Sequence, residues 1–274
     1  MHLNKKRAVI GALCLCVFAS GALVGCKKQE TKTLRTAKIK SPAIIENGVL
    51  KVGVNFGVAP YAVKQGDAVV GFDAEVADLI SQKLGLYPEY VQVAPDKVAT
   101  ALANGTVDVV LSADMDTGDA LLVGPYYTSG PGFFTASDNA LNAESSAKDF
   151  RKNLPIGVQK NSISYWYLVD ALGESGVKTF STTKELIAAV ASGSVSLGAM
   201  DSLVGKYAIA GGSKISFAGF LDGEKKFGVA VAPAQTELGS AISTLLANAT
   251  DKSIIDSMNR KWISTSTQAL SSNK

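Results

Sequence analysis

Between residues 49 and 263 short β-type runs alternate with amphipathic helical stretches, and this alternation constrains the fold more than any other feature. Leu50-Lys51-Val52-Gly53-Val54 reads as a strand. A helix follows from Phe72, with Phe72, Val76, Leu79, Ile80 and Leu84 recurring along one face. Asp73 and Glu75 in its first turn, Lys83 in its last and Gly85 just beyond match the helix dipole and a glycine stop. Tyr90 to Val93 is a strand, Lys97 to Ala103 a helix and Val107 to Leu111 a strand. The second half repeats the scheme: strand Ile156 to Gln159, helix from Ser164, strand Val177 to Phe180, helix Lys184 to Ala191, strand Val195 to Ala199. The pattern predicts α/β architecture with largely parallel sheets. At ~215 residues the body is one large domain or two small ones.

An internal echo bears on that choice. Residues 101–107 (ALANGTV) can be laid on residues 189–195 (AVASGSV), with both alanines, the glycine and the valine coinciding. In each copy a helix ends at glycine and a buried strand begins. Helix–glycine–strand successions are common in α/β proteins, so the echo alone leaves one domain or two open. If the lobes are alike, Ser112 and Ala113 end a strand in one, and Met200 and Asp201 end its counterpart in the other. Carboxyl ends of parallel strands are where open α/β sheets bind ligands.

The N-terminus carries a different signal. Lys5, Lys6 and Arg7 precede an apolar run from Ala8 to Val24, which closes on Leu23-Val24-Gly25-Cys26. A basic start, an apolar stretch and a small residue before the cut mark a secretory signal peptide over residues 1–25. The last four residues resemble a bacterial lipobox, whose Cys becomes the lipid-bearing first residue, here Cys26. The run is broken by Gly11, Ser20 and Gly21 and falls short of the ~20 residues that a membrane span prefers. Residues 26–47, with Lys27, Lys28, Lys32, Arg35, Lys38 and Lys40 among polar neighbours, are expected to form a flexible tether. Their charge would attract anionic lipid heads weakly.

Processing at Cys26 changes what composition implies. The full chain has 27 Lys+Arg against 24 Asp+Glu, and the three basic residues before Cys26 leave with the signal, so the mature chain is formally neutral. That gives no reason to expect nucleic acid. The single histidine, His2, and two of the three cysteines, Cys14 and Cys16, are also removed. A mature chain without His, and with its one Cys acylated, cannot build the usual zinc, iron or copper sites, run Ser-His-Asp or Cys-His chemistry, or close an internal disulfide. No cofactor and no metal are expected.

The ordered motifs of the body resemble one family. They are Leu50 to Asn55 followed by Ala59-Pro60-Tyr61; Val70-Gly71-Phe72-Asp73; Ala101 to Asp108 with Val109 to Ser112; and Gly124-Pro125-Tyr126-Tyr127-Thr128-Ser129-Gly130. Then come Ile156 to Ser162, Phe227-Gly228-Val229-Ala230-Val231, and Arg260-Lys261-Trp262-Ile263. Their order and spacing are similar to the extracellular solute-binding proteins of polar amino-acid ABC importers. The resemblance implies a two-lobed periplasmic-binding-protein-like α/β fold, each lobe a mostly parallel sheet flanked by helices. Residues 48–133 and 230–265 would form lobe 1, residues 134–229 lobe 2, and residues 266–274 a disordered tail. Two crossing strands near Gly132 to Ala136 and Gly228 to Ala232 would join the lobes as a hinge. The expected partners are a small-molecule solute, the permease subunits of an importer and the membrane through the lipid anchor, with the protein itself a monomer.

Site residues follow from the same resemblance. Tyr61 matches an aromatic that stacks on the ligand, and Asn55 a polar residue at the end of the first strand. Phe72 opens the first helix beside them, and Ser112 ends the strand of the same lobe. Asp201 matches the second-lobe Asp that holds a ligand's α-ammonium, a role compatible with capping the helix that starts at Ser202. Asn161, Ser162 and Ile163 match a loop whose backbone N–H groups meet the ligand carboxylate at a helix N-terminus. One departure stands out. Relatives carry an Arg that clamps the α-carboxylate after the strand ending at Ser112, but here residues 113–121 are shorter and contain no Arg. Asp114, Asp116 and Asp119 stand there instead; they read first as a solvated loop, and if they face the cleft with Asp201 the pocket would suit a cationic or amine ligand. Of Tyr165, Trp166 and Tyr167, one or two are expected to pack in the lobe and one to be exposed. The leading expectation is a binding protein for uptake, not an enzyme. The alternatives are a surface lipoprotein with a degenerate cleft, acting as sensor or partner-binding protein, and a dehydratase-like enzyme on the same fold.

Overall fold

The computed structural model describes residues 35–113, 118–142 and 149–264. The signal segment, Cys26, Asp114, Asp116 and the 266–274 tail lie outside the described residues. Two five-stranded sheets organise the rest. The first contains β1 (Val49–Val54), β4 (Tyr87–Gln92), β5 (Val109–Ala113), β6 (Leu121–Ser129) and β12 (Lys225–Val231), in the order β4-β1-β5-β12-β6. The second contains β7 (Pro131–Ala136), β8 (Ile156–Gln159), β9 (Val177–Phe180), β10 (Gly198–Asp201) and β11 (Ile215–Phe220), in the order β11-β7-β10-β8-β9. A small hairpin, β2 (Val63–Gln65) and β3 (Ala68–Val70), stands apart.

The sheets share one plan. In each, three neighbouring strands are parallel: β4-β1-β5 in the first and β9-β8-β10 in the second. In each, a fourth strand runs antiparallel to the third, β12 beside β5 and β7 beside β10, and pairs antiparallel with a fifth. The sheets are therefore mixed. The antiparallel strands arise because every passage between sheets delivers a strand that runs back. The echoed segments occupy equivalent places: α2 (Val98–Ala103) precedes β5, and α4 (Thr183–Ala191) precedes β10.

The passages fall earlier in the chain than the motifs suggested. β7 pairs only within the second sheet and β12 only within the first. The chain changes sheet at Gly130, and again between Phe220 and Lys225. The apolar strands at 132–136 and 228–232 are central, buried strands, not the crossings themselves. A Cβ on Gly130 would fall 2.2 Å from the Gly223 carbonyl, so the two passages lie against one another and side chains have no room between them.

Helices bury both faces of each sheet. On one face of the first sheet α1 (Phe72–Leu84) contributes Phe72, Val76 and Ile80, and α6 (Thr236–Ala247) contributes Leu238 and Ile242, to a cluster with Leu50, Val52, Val109 and Leu111. On the other, Val98 and Leu102 of α2 pack on Val110 and Ala230. In the second sheet α3 (Ile163–Leu172) places Leu168 on Ile156, Val158 and Ala199, and α4 places Leu186 and Val190 near Phe134 and Met200. All five face residues expected for the first helix are buried, and the chain leaves it through Gly85 at φ 73°. Two further helices, α5 (Ser202–Ala210) and α7 (Ala249–Asn259), complete the fold.

Residues 35–47 depart from the expected flexible tether. Ile39, Ala43 and Ile44 are buried in the core cluster of the first sheet. The Lys38 N–H donates to the Leu84 carbonyl at 2.9 Å, and the Arg35 guanidinium donates to the Leu86 carbonyl and lies over the Tyr87 ring. Asp108 accepts from the backbone N–H groups of Ile45 and Lys51, both at 2.8 Å, which ties the end of this strap to β1. The polar composition concealed three apolar residues for which the folded body provides a place.

Candidate functional site

The carboxyl ends of β6 and β10 and the loop that follows β1 meet at the junction of the two sheets. Asp201, last residue of β10, is its centre. Its Oδ1 accepts from the backbone N–H groups of Leu203 and Val204 at 3.0 and 3.1 Å, so it caps α5. Its Oδ2 accepts from the Ser129 hydroxyl at 2.7 Å, at the end of β6 beside the first passage. The Ser202 N–H donates to the Gly130 carbonyl at 2.8 Å, which fixes the cap to that passage. The Tyr61 hydroxyl donates to Asp201 Oδ1 at 2.9 Å. These four donors are neutral. Burial pushes the Asp201 carboxyl above its ordinary range, and the hydrogen bonds from Ser129, Val204, Tyr61 and Leu203 hold it down. A cation is the partner that best offsets such a charge.

Tyr61 comes from the first lobe. Its loop is held at the start of α1, where the Phe72 and Asp73 N–H groups donate to the Pro60 and Tyr61 carbonyls at 2.8 and 3.0 Å. The Tyr61 ring tilts against Tyr127 with centroids 5.5 Å apart, and Tyr127 stacks on Phe227 at 4.9 Å. Phe72 meets Tyr127 edge-on at 5.6 Å and is fully buried. This corrects its expected place among the ligand contacts: as the first residue of α1 it is core, supporting the aromatic wall.

A second carboxylate lies behind that wall. Asp73 is 2% exposed. It accepts from the Ser112 hydroxyl at 2.5 Å and the Tyr126 hydroxyl at 2.8 Å, while the Ser112 N–H donates to the Tyr126 oxygen at 2.8 Å. Burial pushes the Asp73 carboxyl up to about 6 against the pull of the two hydroxyls. Ser112 adopts φ 54°, a left-handed conformation costly for a residue with a Cβ, and this triad holds it there.

The other expected residues lie on the same ends of the strands. Asn55, just past β1, accepts from the Gln92 side chain at 2.9 Å. Asn161 has φ 61° and follows β8, the parallel neighbour of β10. Ser162 caps α3 by accepting from the Tyr165 N–H at 3.1 Å, and Ile163 is exposed. Trp166 is 59% exposed, and Tyr165 packs partly into the core of the second lobe. Asp119 of the acidic turn is exposed. The structure thus brings Tyr61 and Asp201 into direct contact and joins Ser112 to a different partner. Asp73, Tyr126, Tyr127 and Ser129 emerge as site-building residues that the sequence had shown only as a helix-dipole acid and as parts of a motif.

Residues 50–265 match the model of the bacterial extracellular solute-binding proteins, family 3. The chain belongs to this family. The arginine-binding extracellular protein ArtP of Bacillus subtilis is 31% identical over 134 residues, 47% of this chain and 51% of that protein. A probable histidine-binding protein of Campylobacter jejuni is 30% identical over 119 residues, 42% of this chain and 44% of that protein. The chain thus spans about half the length of the curated relatives it matches. The amino acid ABC transporter substrate-binding protein AbpA of Streptococcus pneumoniae, solved bound to L-arginine, superposes with a TM-score of 0.66 at 22% identity, covering 81% of this chain and 97% of that one. An ancestral arginine-binding protein bound to arginine gives a TM-score of 0.62 at 25% identity, covering 78% and 98%. As a family 3 solute-binding protein the chain has the two-lobed α/β fold of these structures, with a mixed sheet in each lobe.

Proposed function

We propose that this family 3 protein captures a small amine-bearing amino acid of the arginine or histidine type and delivers it to the permease of an ABC importer, held to the membrane through a lipid on Cys26. One observation carries the reading. Asp201, at the junction of the lobes, is a partly buried carboxylate whose hydrogen-bond donors are all neutral. A carboxylate and a cation 4 Å apart gain about 4 kcal/mol at an effective dielectric of 20. The curated relatives named for arginine and histidine binding support a cationic ligand. The ligand carboxylate would meet the backbone N–H groups at the start of α3, because the turn after β5 brings no Arg. A role in binding, not catalysis, agrees with a chain whose one histidine is His2.

Titration calorimetry with L-arginine, L-histidine and L-glutamate tests the assignment. Arginine or histidine should bind and glutamate should not. Asp201→Asn should weaken the cationic ligand at least tenfold, the least expected from losing a charged hydrogen-bond partner. Tight glutamate binding, indifferent to Asp201→Asn, would falsify the ligand class. The anchor is checked separately: Cys26→Ser should release the protein from the membrane fraction.

A further inference from the structure

The Tyr61 hydroxyl sits where a ligand cation has to sit. Tyr61 and Asp201 are 140 residues apart in sequence and belong to different lobes, yet they share a 2.9 Å hydrogen bond. The Leu203 and Val204 N–H groups donate to the same Oδ1, and Ser129 donates to Oδ2. A carboxylate offers about four lone-pair sites over its two oxygens. Oδ1 already has three donors, more than its share. An ammonium or guanidinium that approaches Asp201 can take the open side of Oδ2, but it reaches Oδ1 only by displacing one of them. The two amides are fixed by the helix they begin. The phenol belongs to the other lobe and is the donor free to leave.

Next to this bond lies an apolar seam. Leu203 and Val204, in the first turn of α5 and 7% and 8% exposed, belong to the core cluster that also holds Tyr61, Tyr127 and Phe227 of the first lobe. The lobes therefore meet through contacts of the protein's own, the Tyr61 and Ser129 hydroxyls on Asp201 and several apolar ones.

We infer that Tyr61 is a specificity-determining latch: its hydroxyl stands in for the ligand cation on Asp201, holds the lobes together and yields only to a donor stronger than a phenol. The inference rests on the reading of Asp201 as the carboxylate that receives the ligand. A latch of this kind imposes a threshold. A neutral donor exchanges one hydrogen bond to the carboxylate for another of the same kind and gains nothing, whereas a cation adds the attraction of opposite charges to the bond it forms. The ring serves differently, packing on Tyr127, and Phe at this position would keep that contact.

Tyr61→Phe separates the two roles. In small-angle scattering without added ligand, the variant should show a larger radius of gyration than the parent. In titration calorimetry with L-arginine it should bind about tenfold more tightly, because a hydrogen bond to a charged group no longer has to be broken. A double-mutant cycle gives the second readout: in an Asp201→Ala background, Tyr61→Phe should leave the radius unchanged, since the partner is gone. An unchanged radius for Tyr61→Phe alone, weaker arginine binding, or an equal expansion in the Asp201→Ala background would each overturn the latch. If the radius grows as described but neither protein binds arginine or histidine, the latch stands and the ligand class proposed above fails.

Discussion

Asp73 shows how a residue with an ordinary local reading acquires another role in the fold. At the start of α1 it suits the helix dipole, yet its partners Ser112 and Tyr126 lie 39 and 53 residues away. Burial raises its folded pKa from the ordinary 3.8 to about 6. The folded state therefore keeps a proton that the unfolded chain has released. The associated stabilisation is fully present below about pH 4 and is lost as the pH rises through about 6. In full it amounts to about 3 kcal/mol. Urea unfolding of the parent and of Asp73→Asn should show this: the stability difference, parent minus variant, should fall by roughly that amount between about pH 4 and pH 7. A difference that stays flat over the range would mean that Asp73 is ionised in the folded protein throughout. Asp201 has the opposite history. Its reading as a helix cap holds in the geometry, and the same carboxylate oxygen also receives the Tyr61 hydroxyl from the neighbouring lobe.

Elements were legible where their pattern is local. α1 shows its apolar face and its acidic first turn within thirteen residues and its glycine stop just beyond them, and all of these reappear in the structure. The parallel cores of both sheets follow from short apolar runs between helices. Strands whose partners are distant were harder to place. β7 and β12 are largely apolar with one glycine each, in the manner of a crossing, and only their pairings assign each wholly to one sheet. The strap was hidden for the same reason, since Ile39, Ala43 and Ile44 acquire meaning only against the first sheet. Its dependence on one turn is testable. Gly85 has φ 73°, and a Cβ there would fall 1.9 Å from the Thr36 carbonyl. Gly85→Ala should cost about 1–2 kcal/mol for the left-handed backbone alone. It should also lift the strap, so that limited proteolysis cuts between residues 35 and 47 in the variant and spares the parent. Equal protection of both would show that the turn and the strap are independent.

At the scale of the whole molecule, the shared plan of the two sheets puts every candidate ligand contact at carboxyl strand ends and leaves the amino ends free for other uses. The strap occupies those ends in the first lobe, touching Leu84, Leu86 and Asp108, just before β4 and β5 begin. If Cys26 carries the proposed lipid, this would set a mooring length. A free line from residue 26 to residue 47 would reach about 70 Å, whereas nine residue steps from Cys26 to Arg35 reach about 30 Å. The chain length alone would then keep Arg35 within about one helix length of twenty residues of the lipidated Cys26. With such an anchor, an approach to a permease would be limited to the reach of that short line. Deleting residues 29–34 should leave arginine binding by the purified protein unchanged while lowering uptake into cells, and replacing the deleted residues by a Gly/Ser segment of equal length should restore it. Uptake indifferent to the deletion would place the mooring point elsewhere.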